Sequence, residues 1–463
     1  MTTRTRKLWQ SGSSRLDPVV ERFLAADDIR WDQRLVPYDI LGNAAQARVL
    51  VKAKVLTPAE GRRLVSALRA LWKRHEQGTL KLTLSDEDVH TRIEAELTKR
   101  LGSLGKKIHT GRSRNDQVLV DLYLYARDML TGLRFSTHAL AEACLRTAQR
   151  HPFVPMPGYT HMQRAMPSSV GLWMGSWAEA FSNPDATYLG SARQAVLGES
   201  PLGSGSGFGT LVSPDRDFAA DLLGFQPGNG PGNALRVQTG RGKVELAILH
   251  AIAQVLLDCN RLAADGLLFS TSEFGFVRLP ASMTTGSSLM PNKRNADVWE
   301  LIRAAYHLHL GDLTALASVQ ANLPSGYNRD LQVTKGLLIR SVERALEVLD
   351  VTRRTVEAIE IDAKRCREAC DEGMLATDRA TLLALSGTPF RDAYREVKAG
   401  ARTKPIGVET ALRGKKAAGT PGNLGLAAIG RDLRMQAGCL KRDRKLQAQQ
   451  EALLLDPSWR MGR

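Results

Sequence analysis

Cysteine is scarce and scattered. The 463-residue chain has five (Cys144, Cys259, Cys366, Cys370 and Cys439), with no CxxC and no histidine partnering. An odd, dispersed set indicates neither a disulfide framework nor a zinc site. Aromatics are only 6% of residues, and strand-like alternation is weak throughout. No uncharged apolar run is long enough to span a bilayer. Met1–Arg15 carries basic residues without an apolar core, which predicts no signal peptide and a cytoplasmic protein. Proline is absent between Pro324 and Pro389, an interval hard to fill except with long helices.

What is present points the same way. Hydrophobic residues make up 43% and charged residues 24%, as in globular proteins, which excludes wholesale disorder. In Lys243–Leu268, Val244, Ala247, Ile248, Ala251, Val255, Leu256, Leu262 and Leu267 recur at i, i+3, i+4 spacing. Similar stretches run over Asp116–Arg150, Ala296–Val319 and Asp330–Lys364. These patterns predict an all-α fold with long central helices forming a bundle. Breaks near His109–Asn115 and Cys370–Thr377 suggest three domains: 1–112 helical, 113–370 the central bundle, and 371–463 helical with a basic tail. The net charge of +16 favours anionic partners. Nucleic acid is the weaker reading, because the basic tail lacks interleaved aromatics and any binding module.

Three segments are unlike ordinary helix or loop. Lys107–Val118 (KIHTGRSRNDQV) crowds Thr110, Arg112, Ser113, Arg114 and Asn115 around one glycine. Those donors suit carboxylates, and a helix opening at Asp116–Gln117 adds a favourable dipole. Pro157–Pro167 (PGYTHMQRAMP) carries His161, flanked by Thr160 and Gln163. Thr285–Asp297 (TGSSLMPNKRNAD) presents Ser287, Ser288, Lys293 and Asn295 on what reads as a mobile loop before a helix at Ala296–Glu300. The glycine run Gly203–Gly209 follows no strand and opens no βαβ unit, so it is not a nucleotide fingerprint.

GSSxMPxKxN resembles the signature loop of the fumarase/aspartase superfamily, whose members release fumarate by breaking a C–N or C–O bond. HTGRSRNDQV resembles the argininosuccinate lyase branch, which includes delta-crystallin. EDVHTRIE at Glu87–Glu94, GYTHMQRA, STSEFGFV at Ser270–Val277, YNRDLQ at Tyr327–Gln332 and ATDRA at Ala376–Ala380 follow in the expected order. The resemblance implies a homotetramer with each active site shared between subunits, a small dicarboxylate substrate, and no metal or organic cofactor. It implies Ser287 as the base, His161 assisting proton transfer, and Glu300 orienting that histidine. Lys293 and Asn295 would hold the carboxylates, and Thr110, Ser113, Arg114, Asn115, Thr160, Tyr327, Gln332 and Lys335 would contact substrate. The reaction expected is cleavage of argininosuccinate to arginine and fumarate. A sister lyase acting on another N-substituted aspartate, and a silent crystallin-like protein, are the alternatives.

The chain departs from that pattern at several points. Asn292 and Ala296 replace a glutamine and a proline in the loop, Met166 stands where glutamine is common, and Asn43 and Gln46 replace serine and histidine. Gly198 takes the place of an asparagine and Tyr394 that of a histidine. The segment Gln238–Gly242 differs from the family's SDRDF, and Arg241, with Arg294, suggests preference for a more anionic leaving group.

Overall fold

The structure is a computed structural model that describes residues 17–460 except 84, 85, 227, 229, 402 and 403. Long helices dominate. The longest, Arg114–Arg150, starts where Ser113 accepts a hydrogen bond from Asn115 N and Asp116 accepts one from Ser113 N at 3.0 Å. That reciprocal cap satisfies orphan N–H groups and begins the helix two residues earlier than periodicity suggests. Arg114 and Asn115 therefore lie in its first turn rather than in a loop.

Against this helix pack Val170–Ser182, Pro184–Leu197, Thr334–Ala358, Leu426–Leu454 and Val36–Lys52. Lys243–Phe269 lies beside Asp297–Val319 and Thr334–Ala358. The helix expected over Asp330–Lys364 is shorter, because Arg329–Val333 forms a 3-10 turn and Ile359 is extended. Lys243–Phe269 is long and apolar enough to cross a membrane, yet more than half of its apolar window is buried among these neighbours. One contiguous core joins Leu41, Leu119, Leu122, Ile252, Leu256, Trp299 and Leu338, each at most 1% exposed. At about 25 cal/mol per Å² of apolar burial, such a core supplies the main stabilising term. Gly266 marks one close approach: a Cβ there would lie 2.6 Å from the Trp299 ring.

Strand content is small but placed at the segments of interest. Pro155–Thr160 pairs antiparallel with Gln163–Ser169, and Thr285–Gly286 with Arg294–Asn295. Val277–Arg278 pairs with Glu360–Ile361. The first pair makes the His161 segment a hairpin, and the second corrects the expectation of a mobile loop around Ser287. The boundary expected at 112/113 falls just before the Ser113 cap, while helix 36–52 packs along helix 114–150 across it.

Candidate active site

His161 and Met162 form the two-residue tip between paired Thr160 and Gln163, with φ of +52° and +60°. Hairpins of this length demand such angles, but glycine or asparagine usually supplies them. Two strained residues of larger size at an exposed tip point to a role for their side chains. Thr160 and His161 are exposed.

The 285–297 segment is also a hairpin. Asn295 pairs with Thr285 across it, and Thr285 hydrogen-bonds Asp297 at the start of the following helix. At its turn, half-buried Ser287 receives backbone hydrogen bonds on Oγ from Leu289 N at 3.2 Å and Met290 N at 3.0 Å. Two converging N–H groups stabilise negative charge on an oxygen. Lys293 extends into solvent from the same turn, and exposed Glu300 lies in the first turn of helix 297–319.

The HTGRSRN segment is bound to a different neighbourhood. Arg114 pairs with Glu87 and Asp88, both at 2.9 Å, and donates to Thr91 Oγ1 at 3.0 Å. Asp32 accepts from Val89 N at 3.0 Å and pairs with Lys335, which also meets Asp28 at 2.8 Å. A continuous polar chain thus joins Arg114 to Lys335 through residues 87–91. Gln332 donates to Leu24 O at 2.9 Å beside it. Two departures from the family pattern support this segment directly: Gln46 donates to Thr110 O at 2.9 Å and Asn43 Oδ1 accepts from Arg112 at 2.6 Å. Arg112 is itself buried, so it braces the turn rather than facing a ligand.

Several contributors were not singled out from the residues alone. Asp116, fully buried, accepts from Ser113 N, Gly203 N and Gly205 N, fastening the glycine run to the HTGRSRN turn. Burial raises its carboxyl to about 6, against the pull of Arg112. Asp39, His90 and Asp121 bring polar atoms within 4.8 Å of one another. Asp39, however, already accepts from His90 Nδ1, Gln117 and Asn43 at 2.7–2.9 Å. With Arg112 close by, this set is better read as an internal hydrogen-bond network than as a cation site.

His109, just before the motif, yields a pH prediction. Burial first, then Arg112 and Arg114, lower it from 6.5 to about 4. Between those values the unfolded chain binds the extra proton, so stability falls as pH drops from 6.5 toward 4. His109→Gln is expected to remove on the order of 2 kcal/mol of the loss between pH 7 and pH 5. Urea unfolding of both proteins at the two pH values measures it; parallel losses would refute the assignment.

Among the described residues, no hydrogen bond or ion pair links the His161 tip, the Ser287 turn and the HTGRSRN segment. Within one chain they form three separate polar surfaces.

Comparison with known proteins places this arrangement. The family described as Lyase matches residues 15–307. The argininosuccinate lyase of Sorangium cellulosum (strain So ce56) is 46% identical over 428 residues, covering 92% of this chain and 98% of that protein. That of Xylella fastidiosa (strain 9a5c) is 40% identical, covering 91% and 94%. The chain belongs to the argininosuccinate lyase family. A solved EDDS lyase in complex with formate shares the fold with a TM-score of 0.77 at 21% identity, covering 96% of each chain. A fumarate lyase:delta crystallin from Brucella melitensis gives 0.66 at 17% identity, covering 88% of this chain and 91% of that one. The all-α bundle is thus the family fold.

Proposed function

We propose that the protein cleaves argininosuccinate to arginine and fumarate, as a cytoplasmic enzyme of arginine biosynthesis. The observation that carries this reading is 46% identity to an argininosuccinate lyase along 92% of the chain. In our reading Ser287 takes the proton from the carbon beside a substrate carboxylate. Lys293, Asn295 and the backbone donors of the turn meet the dianion that results. The C–N bond then breaks, its electron pair leaves with nitrogen, and His161, oriented by Glu300, assists the proton transfers. Arg114, Asn115, Thr110, Ser113, Thr160, Tyr327, Gln332 and Lys335 bind substrate, and no cofactor is required.

We also propose a homotetramer in which separate chains supply the three surfaces. Helix 297–319 supports this: Leu301 and Leu308 are 71% and 61% exposed along a face that also presents Ala304, Gly311 and Ala315. Apolar side chains left exposed along one face of a long helix are stabilised by burial against copies of themselves. Light scattering tests the assembly, with a particle of four 50.7 kDa chains expected and a monomer fatal to it.

Incubation with argininosuccinate, followed in the ultraviolet, tests the reaction. Release of fumarate in step with arginine is expected. Faster release from another N-substituted aspartate would move the protein to a sister activity, and none from any would end the reading.

A further inference from the structure

Arg241 is a buried cation that the reaction scheme leaves unused. Its side chain is 3% exposed, yet among the described residues it forms no ion pair, and Nε and Nη1 have no hydrogen-bond partner. Buried Glu245 acts on it through space without reaching ion-pair distance, and a buried cation without a hydrogen-bonded counter-ion is costly, so the position calls for a reason. An anionic leaving group cannot reach these atoms, because both nitrogens are sealed from solvent.

The guanidinium instead lies against Tyr327, its Cζ 4.5 Å from the ring centre. Its neighbours in sequence reach the same stretch of chain. Thr239 Oγ1 accepts a hydrogen bond from Gly326 N at 3.0 Å. Gly242, at φ +88°, comes so near Gln320 that a Cβ would sit 3.0 Å from its amide oxygen. Three of the four residues from Thr239 to Gly242 therefore touch the 320–327 connection, at Gln320, Gly326 and Tyr327. That connection links helix 297–319 to the 3-10 turn before Lys335. A half-buried tyrosine on an irregular link needs such a mould to hold one orientation.

We infer that Arg241 is a positioning residue: the Thr239–Gly242 turn moulds the 320–327 connection, and the buried guanidinium fixes the ring of Tyr327 toward the substrate's amino-acid end. The inference rests on the proposed lyase reading only in what Tyr327 faces; the mould itself does not depend on it.

Two measurements decide it. In Arg241→Met, KM for argininosuccinate is expected to rise about tenfold, the size of a desolvated cation–π contact, with kcat changed much less. Arg241→Lys restores part of the loss. Because the effect passes through Tyr327, Arg241→Met is expected to add little once Tyr327→Leu is present. Full additivity, or equal KM for wild type and both Arg241 variants, overturns the proposal. Hydrogen exchange is independent of turnover: amides of 320–328 are expected to exchange about tenfold faster in Arg241→Met, with helices 243–269 and 114–150 unchanged. Unaltered exchange there defeats the mould, and faster exchange everywhere reduces Arg241 to general stability. If wild type releases no fumarate, the lyase reading falls while the exchange result still decides the positioning.

Discussion

Ser287→Ala is expected to lower kcat about 10³-fold with KM nearly unchanged, since a proton-transfer group contributes 10²–10⁴-fold. The expectation comes from the turn. A serine hydroxyl is a poor base because its alkoxide is costly in water. Here the oxygen already faces Leu289 N at 3.2 Å and Met290 N at 3.0 Å, and Lys293 projects from the same turn. Those groups lower the cost of the alkoxide and, equally, of the dianion formed on substrate. The same hydrogen bonds also describe an ordinary serine turn that only shapes the loop. The two roles separate on measurement. Loss of a shaping contact at a half-buried site costs about 1 kcal/mol of stability at most and mainly raises KM. Loss of a base removes kcat and leaves stability intact, and Ser287→Thr, which keeps the hydroxyl, retains part of the rate. A Ser287→Ala enzyme within about threefold of wild-type kcat would falsify the assignment.

The bundle was readable in the chain because its signal is local. In Lys243–Leu268 each apolar residue sits three or four positions from the next, and an uninterrupted repeat admits one structure. Ser113 and Asp116 also carried a legible cap, though its reciprocal geometry starts the helix at Arg114. The hairpin under His161 was not legible. Its strands hold three prolines and no alternating pattern, and its turn uses histidine and methionine where glycine is usual. Contacts across long sequence separations were hidden for a different reason. Lys335 meets Asp32 303 positions away, and Arg114 meets Glu87 through folding alone. The candidate site was thus visible as residue types and invisible as an arrangement. Its three surfaces also stay apart within one chain, so no single-chain pattern could show them together.

Lys335→Met is expected to destabilise the protein by about 3–5 kcal/mol near pH 8, the penalty for removing one partner from a buried ion cluster. Lys335 is 4% exposed and Asp32 1%, and Asp28 sits 2.8 Å from the ammonium. Burial pulls the lysine pKa down, but Asp32 and Asp28 outweigh it and leave the pKa above 10.5. The lysine's contribution is therefore complete at every pH below about 10 and is lost only as pH rises through the folded value. Removing it leaves two carboxylates facing each other without a counter-ion. They are relieved by taking up a proton, so the deficit of Lys335→Met is expected to shrink as pH falls toward 5. Asp32 also holds Val89 N, and residues 87–91 hold Arg114, so the same variant is expected to raise KM through this chain as well as through the proposed contact of Lys335 with substrate. Adding Asp32→Asn to Lys335→Met removes one stranded charge. If Lys335 also contacts substrate, as proposed, that double variant is expected to regain much of the stability but not the KM, because the ammonium stays absent. Equal stability of Lys335→Met and wild type at pH 8 by urea unfolding would show that the cluster is hydrated rather than sealed. Recovery of both stability and KM in the double variant would place Lys335 in the scaffold and outside the binding site.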